Sequence, residues 1–81
     1  MGYFVYILKS KKDNKRYVGM TSRPVKERVG EHNSGLVKST KNRRPLELIY
    51  FEEFATKTEA MSREKFFKSG KGREYLKSIN K

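Results

Sequence analysis

Two short apolar runs near the N-terminus predict a β-hairpin. The first, residues 3–9, is rich in β-branched and aromatic residues and carries apolar side chains on both alternating sets. Both faces of this strand should therefore be covered, which predicts a central position in its sheet. A polar stretch with the turn-forming pair Asp13-Asn14 follows, and residues 16–20 then form the second strand.

The expected register of this hairpin places two tyrosines together. If the connecting loop has an even length, even-numbered residues of the first strand lie opposite odd-numbered residues of the second. Tyr6 and Tyr17 then project from the same face of the sheet. Gly19 shares that face without a side chain, which leaves room for another group to approach the backbone.

The polar and apolar positions that follow predict a helix over about residues 24–32. Val25 and Val29 form its apolar seam. Because successive helical residues are about 100° apart, Arg28 and His32 should lie one turn apart along one edge of that seam.

The second half of the chain predicts one more strand and two more helices. Residues 46–51 read as a third strand, and residues 56–59 form a capping box that starts a second helix. Gly70 and Gly72 should break the chain before a short helix over residues 73–79. The predicted order is ββαβαα, in one α/β (α+β) domain that spans all 81 residues.

Composition and charge narrow the class of partner. Twenty Lys and Arg against nine Asp and Glu give a formal charge of +11, which favours a polyanion: nucleic acid first, an anionic membrane surface second. No segment is long and apolar enough to span a bilayer, and the first residues lack a signal peptide, so we expect a cytoplasmic protein. With no cysteine and one histidine, any metal should be a hard cation on oxygen ligands.

Glu64 is the most unusual position in the second helix. Ala60, Met61 and Phe67 mark the apolar side of that helix, and Glu64 falls inside the same arc. A carboxylate there must pair with a cation or lose its charge. The partner is either Arg28 or a lysine in a structural ion pair, or a Mg²⁺ or Mn²⁺ ion.

Each of the other polar candidates has a structural and a chemical interpretation. Tyr6 and Tyr17 are either packed aromatics or phenols that position or deprotonate a water at a phosphate. Such a base needs nearby cations, with Arg28 and a metal as candidates, because a phenol pKa lies near ~10. Arg28 is either a solvated side chain or a guanidinium that binds a phosphate. His32 is a boundary residue, a proton-transfer group or a second phosphate contact.

A basic segment precedes the third strand. Four of its seven residues are cationic, and the segment is either a phosphate-contacting surface or a solvated run of charge: Lys38, Lys41, Arg43 and Arg44.

The order of these residues along the chain resembles the GIY-YIG nuclease family. The segments Val5-Tyr6-Ile7 and Tyr17-Val18-Gly19 stand where the family has its two name-giving motifs, and Arg28, His32 and Glu64 match its helix arginine, the histidine one turn later and its metal-binding glutamate. The segments 32–35 and 43–48 are similar to those of small stand-alone bacterial members. The motif's first glycine is replaced by Val5, and the family's late asparagine has only Asn80 as a possible counterpart.

The resemblance implies a three-stranded antiparallel sheet flanked by helices, as in the N-terminal nuclease domain of the excinuclease C subunit. It also implies one Mg²⁺ or Mn²⁺ ion on Glu64, a tyrosine that activates water, and stabilisation of the phosphorane by Arg28. The implied catalytic residues are Tyr6, Tyr17, Arg28, His32 and Glu64. We expect a DNA endonuclease selective for structure rather than sequence. The alternative is a non-catalytic nucleic-acid-binding module for DNA or RNA. Since the chain carries no separate recognition domain, a protein partner would supply further specificity.

Overall fold

The structure is a computed structural model that describes residues 2–79, so Asn80 lies outside the described residues. The elements follow the predicted order ββαβαα, with a short 3-10 turn at Lys41–Arg43 before the third strand. Their bounds are β1 Tyr3–Ser10, β2 Arg16–Thr21, α1 Val25–Asn33, β3 Leu46–Phe54, α2 Lys57–Lys68 and α3 Gly70–Ile79.

The three strands form one antiparallel sheet in the order β2-β1-β3. The central position predicted for β1 is confirmed, and it follows from the apolar residues on both of its faces. In the hairpin Tyr6 pairs with Gly19 and Leu8 with Tyr17, so even residues of β1 oppose odd residues of β2. The prediction that Tyr6 and Tyr17 share one face is therefore also confirmed.

Helices cover both faces of the sheet, and each face has its own apolar core. We call the side covered by α1 the α1 face and the opposite side the α2–α3 face. Buried apolar residues on the α1 face are Tyr6, Leu8, Val25 and Leu46. Those on the α2–α3 face are Val5, Ile7, Ala60, Phe67 and Leu76.

The capping box at the start of α2 is present as predicted. The hydroxyl of Thr56 accepts a hydrogen bond from the backbone N–H of Glu59, and the carboxylate of Glu59 accepts one from the backbone N–H of Thr56. These bonds satisfy donors that the first turn of a helix leaves free. The apolar side of α2 was predicted only in part, because Met61 is 43% exposed.

The predicted break before the last helix is present, but it lies at Ser69 rather than at Gly70 and Gly72, since both glycines belong to α3. Gly72 is buried, and a side chain at this position would overlap the backbone of Phe66 and Phe67. The glycine therefore allows the start of α3 to lie directly against the end of α2. Among the helices of residues 2–79, none combines the length and the apolar character that crossing a bilayer needs.

Candidate active site

Tyr6 lies over Gly19 of the neighbouring strand. A Cβ atom placed on Gly19 would overlap Cζ and the hydroxyl of Tyr6. The opening expected at Gly19 is thus filled by a side chain of the protein itself. Only glycine leaves enough space at this position for Tyr6 to reach α1.

His32 connects Tyr6 to the loop that follows α1. Its Nε2 lies 2.9 Å from the hydroxyl of Tyr6, and its Nδ1 lies 2.7 Å from Oγ1 of Thr40. Thr40 donates its own hydroxyl proton to the carbonyl of Val37 at 3.4 Å, which leaves its oxygen to accept from Nδ1–H. These bond directions assign the Nδ1–H tautomer to His32, so that Nε2 accepts the hydroxyl proton of Tyr6.

The hydrogen bonds from Thr40 through His32 to Tyr6 form a series, and Arg28 joins it from the other side of the Tyr6 hydroxyl. Its Nε donates to the Tyr6 hydroxyl at 3.3 Å, and its Nη1 pairs with Glu31 at 2.8 Å. Arg23 also binds Glu31, through two hydrogen bonds of 2.6 Å. The bonds from Arg23 and Arg28 lower the pKa of Glu31 to about 2, so this carboxylate stays ionised and fixes both guanidinium groups.

Burial dominates the ionisation of the two groups at the centre of the series. It raises the pKa of Tyr6 above 10.0, although the hydrogen bond and the charge of Arg28 oppose this. Burial, together with the charge of Arg28, lowers the pKa of His32 below 6.5. At neutral pH the pair is a phenol and a neutral imidazole. The protein's own cations therefore do not turn Tyr6 into a ready base.

Tyr17 stands beside this series but outside its hydrogen bonds. Its ring centroid is 5.1 Å from that of His32. The side chain is partly exposed, and its hydroxyl bonds to no residue in the described range 2–79. Of the two tyrosines, Tyr17 is thus the one whose hydroxyl is open to an incoming ligand, because Tyr6 is only 1% exposed.

Glu64 occupies the exposed edge of the apolar arc of α2. Its side chain is 25% exposed and pairs with Lys68 at 3.4 Å, one turn further along the helix. Of the alternatives that the sequence left open, the ion pair with a lysine is the one present, while Arg28 binds Tyr6 and Glu31 instead. The negative charge of Glu64 makes a small contribution to the raised pKa of Tyr6.

Comparison with known proteins decides the family. The sequence model of the GIY-YIG catalytic domain matches residues 2–79. This chain belongs to the GIY-YIG family. It is 45% identical over 78 residues to a UPF0213 protein of Staphylococcus haemolyticus, covering 95% of this chain and 93% of that protein.

Two further relatives agree with this assignment. The UPF0213 protein YazA of Bacillus subtilis is 49% identical over 67 residues, which cover 82% of this chain and 66% of YazA. The solution NMR structure of a UPF0213 protein from Bacillus halodurans is 38% identical and superposes with a TM-score of 0.59, covering 98% of this chain and 85% of the other. The GIY-YIG domain is thus of the small bacterial type that the motifs resemble.

The basic segment of this GIY-YIG domain divides into two parts. Lys38 and Lys41 are exposed. Arg43 instead braces the hairpin, with Nε 3.7 Å from Asp13 and Nη2 donating to the carbonyl of Arg16 at 3.5 Å. Arg44 is exposed, and its Nε donates to the carbonyl of Lys41 at 2.8 Å, which holds its guanidinium against the loop.

Two residues of the site were missed by sequence reasoning. Glu31 carried a usable signal, because it lies three residues after Arg28 and such neighbours pair on a helix surface. Thr40 carried none, since its contact with His32 depends on how the loop after α1 folds back. Within residues 2–79 no group of three His, Asp or Glu side chains forms a metal cage.

Proposed function

We propose that this GIY-YIG domain is a divalent-metal-dependent DNA endonuclease that selects its substrate by structure rather than by sequence. The observation that carries the proposal is the hydrogen-bonded series Arg28, Tyr6 and His32 on one face of the sheet. The series combines a fixed cation for a phosphate with an accessible phenol, Tyr17, beside it.

Arg28 is the group that meets the phosphate. Nε and Nη1 are used by Tyr6 and Glu31, whereas Nη2 donates to no residue of the described chain, and the side chain is 28% exposed. A guanidinium held by two neighbours costs little reorganisation when charge develops on the phosphate, so it favours the transition state over the ground state.

Tyr6 and His32 act as positioning residues in this proposal. Both ring nitrogens of His32 are already bonded, and the ring is fully buried, so it does not reach a phosphate. The chain from Thr40 through His32 fixes the Tyr6 hydroxyl, which in turn accepts from Arg28 and orients it. Tyr17, with its free hydroxyl, orients the attacking water.

Glu64 fits a Mg²⁺ or Mn²⁺ ion of the kind that binds through one carboxylate. Mg²⁺ commonly takes one or two carboxylates and completes its shell with waters and substrate phosphates, which agrees with a lone, partly exposed Glu64 and with the lack of a three-residue cage in residues 2–79. The bound ion supplies Lewis-acid charge to the phosphate and acidifies water. Because the carboxylate contributes one ligand, ion and DNA should bind cooperatively.

The charge of the domain supports DNA as the partner. Lys38, Lys41 and Arg44 present exposed cations beside α1, and contacts of this kind position a phosphate backbone without reading its sequence. We propose that duplex-containing DNA is preferred to RNA and that a protein partner adds any sequence specificity.

A cleavage panel tests the proposal. Duplex, single-stranded, flap, forked and junction DNA and RNA are incubated with Mg²⁺ or Mn²⁺, and Glu64→Gln is compared with Glu74→Gln, which removes an exposed carboxylate from α3. We expect Glu64→Gln to abolish cleavage and Glu74→Gln to leave it unchanged. Paramagnetic broadening by Mn²⁺ in the presence of uncleavable DNA should centre on Glu64.

The tyrosines extend the same test. Tyr17→Phe should slow cleavage strongly, whereas Tyr3→Phe, on the α2–α3 face, should not. If Glu64→Gln and Tyr17→Phe both cleave like the unaltered protein, the proposed site is wrong. Binding of DNA or RNA without cleavage of any substrate would favour the non-catalytic module instead.

A further inference from the structure

A second cationic region lies away from the basic segment, beside the free edge of β2. Here β2, α2 and α3 enclose a cleft of about 700 Å³. None of the residues that line it is acidic, and five are cationic: Lys15, Arg16, Lys68, Arg73 and Lys77. The cleft therefore offers a concentrated positive field to a polyanion.

The apolar lining of the cleft favours a single strand of DNA over a duplex. The partly exposed side chains of Tyr17 and Val18 form an apolar floor beneath a cationic rim, and the buried Phe67 and Leu76 lie behind it. A duplex turns its phosphates outward and keeps its bases stacked inside, so it would leave this floor unfilled. An unpaired nucleotide carries both a phosphate for the rim and an exposed base for the floor.

The cleft is continuous with the candidate active site. Tyr17 borders the cleft and also packs against His32, with ring centroids 5.1 Å apart. On the opposite side, Lys68 lines the cleft and pairs with Glu64 at 3.4 Å. A strand lying in the cleft would therefore be bordered by Tyr17 and by the lysine that pairs with Glu64.

Arg16 adds an unmet hydrogen-bond donor at this position. Its Nε–H is shielded from solvent and finds no acceptor among the described residues. Buried donors in folded proteins are nearly always paired, so the Arg16 guanidinium should turn to donate to an acceptor of a bound ligand, such as a phosphate oxygen.

We propose that this cleft binds an unpaired stretch of DNA strand adjoining the phosphodiester bond that the site receives. The proposal rests on the proposed function and names the structural feature of the substrate that the domain selects: a single-stranded branch or end.

The test compares two double charge reversals under metal-free conditions, where nothing is cleaved. Arg73→Glu with Lys77→Glu alters the cleft, and Lys57→Glu with Lys65→Glu alters exposed cations of α2 outside it by the same total charge. Affinity is measured for a short oligothymidylate and for a blunt duplex of the same length. We expect the cleft pair to lose on the order of tenfold or more for oligothymidylate, and no more than the control pair for the duplex.

Amide chemical shifts locate the strand independently of any variant. Oligothymidylate should shift residues of the cleft, such as Val18, Lys68 and Leu76, more than residues 38–44. Equal losses in the two double variants, equal losses on both probes, or shifts confined to residues 38–44 would overturn the proposal. Because these readouts need no cleavage, they remain decisive if the domain proves not to be a nuclease. If it cleaves blunt duplex and forked DNA equally, the cleft proposal alone fails.

Discussion

The two faces of the sheet bury the same central strand in different ways. On the α2–α3 face, the fully enclosed residues are all apolar, and the partly buried Arg63 and Glu52 pair at its margin. On the α1 face, Tyr6 is buried together with His32, and Thr40 closes the hydrogen-bonded series. A hydrogen bond in such a series contributes only about 0.5–1.5 kcal/mol of net stability, whereas leaving one buried group unpaired costs about 1–3 kcal/mol.

We expect this difference to divide stability and chemistry between the two faces. Apolar contacts on the α2–α3 face are non-directional and contribute in proportion to the area they bury. The polar series on the α1 face is directional and depends on each bond in turn. Substitutions on the α2–α3 face should therefore mainly lower the free energy of unfolding, and those on the α1 face should mainly lower the rate of cleavage.

The largest expected effect is on stability, from Phe67→Ala. Phe67 is fully buried and packs against the rings of Tyr50, Phe66 and Tyr75. Removing it should lower the free energy of unfolding by about 3–5 kcal/mol, measured by chemical denaturation. Met61→Ala, on the exposed side of the same helix, should change it by no more than about 0.5 kcal/mol. A loss below about 1 kcal/mol for Phe67→Ala would mean that this face does not carry the stability.

Arg28→Ala should give the next largest effect, this time on cleavage. We expect a loss of about 10²–10³-fold in rate with little change in DNA affinity, because the guanidinium acts on charge that develops during the reaction. Arg23→Ala is the matched control, since Arg23 shares the Glu31 carboxylate but does not contact Tyr6. Equal slowing of both variants would place the effect in the Glu31 cluster as a whole.

Gly19→Ala should disturb the α1 face from the opposite side. The added methyl group overlaps the Tyr6 hydroxyl, so Tyr6 must move away from His32, at a cost of about 1–3 kcal/mol in unfolding free energy and most of the cleavage. Gly30→Ala, on exposed α1 with nothing near its Cβ, should instead stabilise the helix by up to about 1 kcal/mol. Normal cleavage by Gly19→Ala would show that the position of Tyr6 is not required.

The smallest effect is a pH dependence that belongs to the α1 face alone. The pKa of His32 is lower in the folded protein than the ordinary 6.5, so the unfolded chain binds more protons below that value. The free energy of unfolding should therefore fall as the pH falls through 6.5, by at most about 1.4 kcal/mol per pH unit.

His32→Asn separates this contribution from the carboxylates. Glu31 and Asp13 have lowered pKa values, and they lose their stabilising effect only as the pH falls below their ordinary values of 4.5 and 3.8. Between these ranges and neutrality, the unfolding free energy of His32→Asn should hardly change with pH. If the variant keeps the slope of the unaltered protein, another group causes it.

The sequence by itself determined what depends on local periodicity. The apolar residues on both faces of β1 predicted its central position, the twofold period placed Tyr6 and Tyr17 on one face, and the helical period placed Arg28 and His32 one turn apart. These periods follow from backbone geometry, so they do not depend on how the elements pack against one another. For Glu64 the helical period indicated only that the carboxylate needs a cation, and the family resemblance favoured a metal ion over the lysine that pairs with it in the structure.

Tertiary structure decided which groups meet across the chain. The bond from His32 to Thr40, the bracing of the hairpin by Arg43, and the packing of Gly72 on Phe66 each join elements through a loop or a helix junction. The ionisation of Tyr6 was decided in the same way, because burial outweighs the nearby charge of Arg28. Such outcomes depend on the path of the connecting segments and on how deeply each group is buried. The spacing of residues along the chain predicts neither.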